Sequence, residues 1–115
     1  MKLRIHKNQL RLCLSKPDVA RLVERGELEE TLKLPNEPNL SFLLQSGGPH
    51  AASFDGKQIR IIAPAGEIKA WAETDRVGIA FEMGEVKVLI EKDFQCSHAS
   101  ADENNDAFPK RVTEH

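Results

Sequence analysis

The chain has 115 residues, 40% hydrophobic and 30% charged, with a formal net charge of −2. That length suits one domain, and the balanced charge excludes the strongly basic footprint of a general nucleic-acid binder. Five Phe, one Trp and no Tyr leave an aliphatic core and little for a base-stacking surface, so nucleic acid is disfavoured as a partner.

Leu3 and Ile5 alternate with Lys2, Arg4 and His6, which predicts a half-buried strand over 2–6. Leu10, Leu12 and Leu14 alternate in the same way and predict its hairpin partner across Lys7-Asn8. Ser15 with Asp18 three residues on is close to a capping box, and Gly26 is a natural stop, so a short helix is expected over 16–25. Its apolar stripe is Val19, Leu22 and Val23. Strands follow over 27–34 and 40–45, separated by the turn Pro35-Asn36-Glu37-Pro38-Asn39.

Ser46-Gly47-Gly48-Pro49 is the strongest break, and after it the pattern restarts. Residues 51–54 and 58–63 read as a hairpin about Asp55-Gly56. Pro64-Ala65-Gly66-Glu67 opens a second helix with Ile68, Trp71 and Ala72 inward. Val77, Ile79 and Phe81 mark one more strand, and Val86, Val88 and Ile90 the last. Polar residues dominate from 97 onward, which predicts an extended or disordered tail over 97–115 beyond a single domain of 1–96.

Shifted by 49 residues, the first half lies over the second. Leu10-Arg11-Leu12 meets Ile59-Arg60-Ile61, Leu22 meets Trp71, and Leu28 meets Val77. A shorter turn reduces the shift to 46, and residues 40–45 then meet 86–91. The expected fold is α+β: two ββαββ repeats, 2–46 and 50–92, forming an eight-stranded, mainly antiparallel barrel or sandwich with two short helices.

Arg11 and Arg60 occupy equivalent repeat positions, and Arg4 and Lys87 project similarly. In a closed barrel these four would line the lumen and bind an anion. On an open sheet they would be a solvated charged face. Cys96 and His98 lack the paired spacing of a zinc site, so no metal is expected. Gly47-Gly48-Pro49 lacks the ending of a phosphate-binding loop, and no nucleophile elbow is present, so neither a catalytic group nor a cofactor is assigned. Cys13 and Cys96 read by default as free thiols of a reducing compartment, with a disulfide between them as the alternative. Lys2, Arg4 and Lys7 near the start make no secretory leader, and no run reaches the roughly 20 apolar residues of a membrane helix. The expected location is therefore the cytoplasm.

Several segments carry a resemblance: Met1 to Ile5, Leu10-Arg11-Leu12 with Ser15 to Leu22, Glu91-Lys92-Asp93-Phe94-Gln95-Cys96, and Asp106-Ala107-Phe108-Pro109. Together they resemble a family of short bacterial proteins of unknown function, a likeness that spans nearly the whole chain and brings no activity with it. It implies that the last two segments are more than random tail. In strand and helix order the chain is also similar to the triphosphate tunnel (CYTH) enzymes, which carry Glu-x-Glu-x-Lys near the N-terminus. Here Lys2-Leu3-Arg4-Ile5-His6 has no such motif, and Thr31 stands where Lys would follow Glu27-Leu28-Glu29. The expectation is a non-enzymatic binding or interaction module for an unknown protein or small anionic ligand. The alternatives are an anion- or polyphosphate-binding barrel and a homo-oligomer paired through an open strand edge.

Overall fold

Two hairpins, one from each end of the chain, meet to make the first sheet. β1 (Lys2–His6) pairs antiparallel with β2 (Gln9–Leu14), and β7 (Gly78–Met83) with β8 (Val86–Lys92). β2 and β8 then lie parallel, giving sheet A the order β1-β2-β8-β7. The central stretch of chain builds sheet B by the same rule. β3 (Glu27–Leu32) and β4 (Leu40–Ser46) form one hairpin, β5 (Ala51–Phe54) and β6 (Gln58–Ala63) another, and the parallel pair is β4 with β6. The computed structural model describes residues 1–36 and 39–93. The tail expected over 97–115 lies outside the described residues.

The fold is α+β, a sandwich of two four-stranded sheets with two helices, α1 (Lys16–Arg25) and α2 (Ala65–Glu73). The barrel arm of the sequence expectation is corrected. Ladder pairing ends at β1 and β7 in one sheet and at β3 and β5 in the other, so the sheets do not close. Each sheet is mixed, because its two antiparallel hairpins join through a parallel central pair.

The two ββαββ-like units share the register of their parallel pairs as well as the order of their elements. Arg11 faces Leu89 in the parallel pair of sheet A, and Arg60 faces Leu43 in that of sheet B. Three backbone hydrogen bonds recur at equivalent places. Ser46 N donates to Gly26 O at 2.8 Å, and Lys92 N to Val77 O at 3.1 Å. Gly47 N donates to Ala63 O, and Asp93 N to Leu14 O, both at 2.8 Å. Ser41 N donates to Lys57 O at 3.0 Å, and Lys87 N to Asn8 O at 3.2 Å.

One sequence alignment changes. Leu28 pairs with Leu44, while Ile79 rather than Val77 pairs with Ile90, so β3 lies over β7 at a shift of 51. The physical reason is the helix exit. α1 stops at Gly26, whose φ of 85° lets its N–H close on Leu22 O, and β3 starts at once. α2 leaves through an extended Thr74, and Val77 stays outside the strand with 38% exposure.

One core joins both sheets and both helices. Leu10, Leu12, Leu14, Ile79, Val88 and Ile90 come from sheet A, Leu28, Leu44, Ile61 and Ala63 from sheet B, and Leu22, Ile68 and Trp71 from the helices. Trp71, fully buried, satisfies its indole N–H on Val77 O at 2.9 Å, as a buried Trp requires.

Candidate functional site

α1 carries two apolar stripes rather than one. Leu22 points into the core and is fully buried, but Val23 is 46% exposed. Lys16, Val19, Ala20, Val23 and Glu24 recur at helical spacing and form the wall of a groove of about 850 Å³. Among the described residues its remaining lining is Leu14 and Ser15 at the β2–α1 junction, Ala72 of α2, and Lys92 and Asp93 at the end of β8. The sequence placed Val23 with the core because Val19 and Val23 share a face. Only the position of α2 and the end of β8 shows that this face opens onto solvent.

The groove has a fixed end and an open end. Ser15 is committed to the helix: its Oγ accepts from Asp18 N at 3.3 Å, and Asp18 Oδ2 accepts from Ser15 N at 3.1 Å. Lys92 Nζ donates to Thr74 O at 2.7 Å and lies 5.9 Å from the Trp71 ring centroid. Asp93 Oδ2 lies 3.4 Å from Lys2 Nζ. Lys16 and Glu24, by contrast, are exposed. Among the described residues the lining includes no His or Cys, and it offers an apolar floor with charges of both signs.

The four cations singled out by sequence do not surround one space. Arg4, Arg11 and Lys87 share the outer face of sheet A, where Arg4 stands directly opposite Arg11. Arg11 Nε lies 3.4 Å from Glu91 Oε1, and Gly78 leaves room for that carboxylate, since a Cβ there would sit 3.1 Å from Glu91 Cγ. Arg60 is on the outer face of sheet B, exposed, and donates to Gln58 Oε1 at 3.3 Å. Without a closed barrel there is no lumen to bring Arg60 to the other three.

A further polar cluster went unread in the sequence. His50 Nε2 lies 2.6 Å from Glu67 Oε1, Arg76 Nη2 donates to Glu67 Oε2 at 2.9 Å, and the His50 ring packs on Phe81 at 4.7 Å between centroids. Burial works to raise the Glu67 carboxyl, but the hydrogen bonds from His50 and Arg76 outweigh it and hold the group below its ordinary value. As an ionised acceptor, Glu67 takes its proton bond from His50 Nε2–H. Unit 1 has the same latch in different chemistry. The Met1 ammonium sits 2.9 Å from both Asp18 Oδ2 and Glu30 Oε2. The available signal was positional: Met1 and His50 precede equivalent strands, and Asp18 and Glu67 hold the same place in equivalent helices.

Cys13 corrects the expectation of two free thiols, because it is disulfide-bonded. Cys96 and His98 lie outside the described residues. Among the described residues no group of three His, Cys, Asp or Glu is placed to hold a metal ion, and no helix is long and apolar enough to cross a membrane. No functionally curated protein matches the chain. A family model does match it, over residues 1–112, and the chain belongs to that family, a family of unknown function (DUF7009).

Proposed function

We propose that the protein is a non-catalytic interaction module that binds a short apolar-faced peptide segment in the groove beside α1. The observation that carries this reading is the second stripe of α1, with Val23 46% exposed over a groove of about 850 Å³. That volume lies within the usual range of about 300–1,000 Å³ for ligand sites. A helix seats its own apolar stripe in such a groove through anchors at i, i+3 or i+4. Lys16 and Glu24 at the open rim would orient a segment carrying both charges.

Display of a random peptide library against the folded protein tests this. Enriched peptides should carry two apolar anchors at helical spacing and should lose binding to Val23→Asp while keeping it to Arg60→Ala. Peptides that bind Val23→Asp as well as the parent protein would place recognition elsewhere, and failure to enrich any would remove the reading. The disulfide at Cys13 also bears on location. It favours an oxidising compartment over the cytoplasm expected from two thiols.

A further inference from the structure

The inner-facing rows of both sheets lose their cover toward the end of the sandwich that carries the four hairpin turns. In sheet A one such row runs Ile5, Leu10, Val88, Phe81 across the strands. Leu10 and Val88 are core residues, yet Ile5 at the edge of the row is 69% exposed. In sheet B the row from Phe54 through Ile59 and Phe42 behaves alike, with Ile59 packed on the core and Phe54 60% exposed. One step nearer the turns, Leu32 opposite Leu40 and Met83 opposite Val86 are exposed as well. All four share the parity that faces into the sandwich, since side chains alternate along a strand. Large apolar residues exposed together at one end of a fold mark a surface that another molecule covers.

Two contacts between the sheets sort this end by unit. The Met1 ammonium on Glu30 sets β1 beside β3, and the His50 ring on Phe81 sets β5 beside β7. Ile5 and Leu32 therefore belong to a unit 1 half of the surface, and Phe54 and Met83 to a unit 2 half. The halves differ in charge. Lys7 of the β1–β2 turn and Lys33 after β3 flank the first, and both are exposed. Asp55 of the β5–β6 turn, Glu82 of β7 and Glu85 of the β7–β8 turn flank the second, and all three are exposed, with Lys57 as the contrary charge. Halves alike in apolar content and opposite in charge are complementary to each other. Two copies stacked end to end can set like halves together or unit 1 on unit 2, and charge disfavours the first and favours the second.

We propose that the protein forms a twofold dimer through its hairpin end, with Ile5 and Leu32 of each copy packed on the partner's Phe54 and Met83. Lys7 and Lys33 then face the partner's Asp55, Glu82 and Glu85. The contact is isologous, so it closes on itself. It leaves the groove free, because β2 begins with Gln9 at the hairpin end and finishes with Leu14 at the groove.

The test is sedimentation equilibrium of the full chain from about 1 to about 100 µM, the range in which a modest interface fills. The mass should rise from monomer to dimer. Ile5→Asp and Phe54→Asp should each stay monomeric throughout. Lys7→Glu with Lys33→Glu makes both halves acidic, and Glu82→Lys with Glu85→Lys makes both basic, so each double variant alone should be monomeric. Mixed in equal amounts they should pair as a heterodimer, because every contact again joins opposite signs. That rescue is its own control for folding. A parent chain that stays monomeric at about 100 µM overturns the proposal and leaves the surface to a different protein. A dimer that survives Ile5→Asp, or a mixture that does not pair, overturns it too. Peptide binding in the groove is read separately, so either idea can fail alone.

Discussion

The two units reach one geometry with different chemistry. Unit 1 caps its helix with Ser15 and latches it to the Met1 ammonium. Unit 2 starts its helix at Pro64 with no side-chain cap and latches it through His50 and Arg76. Unit 1 centres its helix on Leu22 and unit 2 on Trp71, both fully buried. The backbone frame tolerates these exchanges because the shared constraint is the ladder register, and the register needs only alternating apolar residues on one face.

Substitutions at equivalent positions test how far the equivalence goes. The largest effect is expected at the helix centres. Trp71→Ala should cost about 3–5 kcal/mol and Leu22→Ala about 2–5 kcal/mol in denaturant unfolding, since each leaves a cavity in the common core. A negligible cost at either would mean that the units do not share one core. Next come the outer-face arginines. Arg11→Ala removes the partner of Glu91 and should cost about 1 kcal/mol, whereas Arg60→Ala should stay within about 0.5 kcal/mol. Equal costs would argue that the two outer faces are alike after all.

The caps should differ by a similar amount. Ser15→Ala loses the capping box and should cost about 1 kcal/mol, while Pro64→Ala removes no cap and should be close to neutral in the same unfolding assay. Smallest are the latches, each worth roughly 0.2–1 kcal/mol as a partly exposed pair. Burial works to raise the Asp18 carboxyl, and hydrogen bonds from the Met1 ammonium and Ser15 N–H outweigh it, so it lies low, as Glu67 does. Stability from both acids is therefore present above the ordinary carboxylate range and is lost as pH falls through their lowered values. Burial works to lower the Met1 ammonium, and the bonds to Glu30 and Asp18 outweigh it, so its value is raised from 8.0. Its contribution is full below that point and is lost as pH rises through the raised value. Glu67→Gln should flatten only the acid limb of stability against pH, and Asp18→Asn should flatten both limbs.

Local pattern made most of the fold legible. Alternation set β1, β2, β5 and β6 at their observed limits, and Ser15 with Gly26 set α1 at both ends, because each signal lies within a few residues. The same pattern placed Arg11 and Arg60 at equivalent strand positions. What stayed hidden depends on distant neighbours. Val23 shares a face with Val19, and only the packing of Ala72 and Lys92 shows that face to be a groove. Val77 has the right parity for a strand, but the extended exit at Thr74 moves the register on by two. Cys13 sits among strand residues with nothing nearby to mark it as bonded, and His50 with Glu67 and Arg76 spans three elements. Sheet closure was equally out of reach, because eight alternating strands do not say whether their last edges meet.

The parallel pairs make the two sheets unequal in the length of chain they close. Leu44 and Ile61 join sheet B across 17 residues of chain, whereas Leu12 and Ile90 join sheet A across 78. Closing the longer loop costs about 1.4 kcal/mol more in chain entropy for the same ladder. The parallel pair of sheet A therefore carries the larger closure cost, and the disulfide-bonded Cys13 lies on one of its two strands.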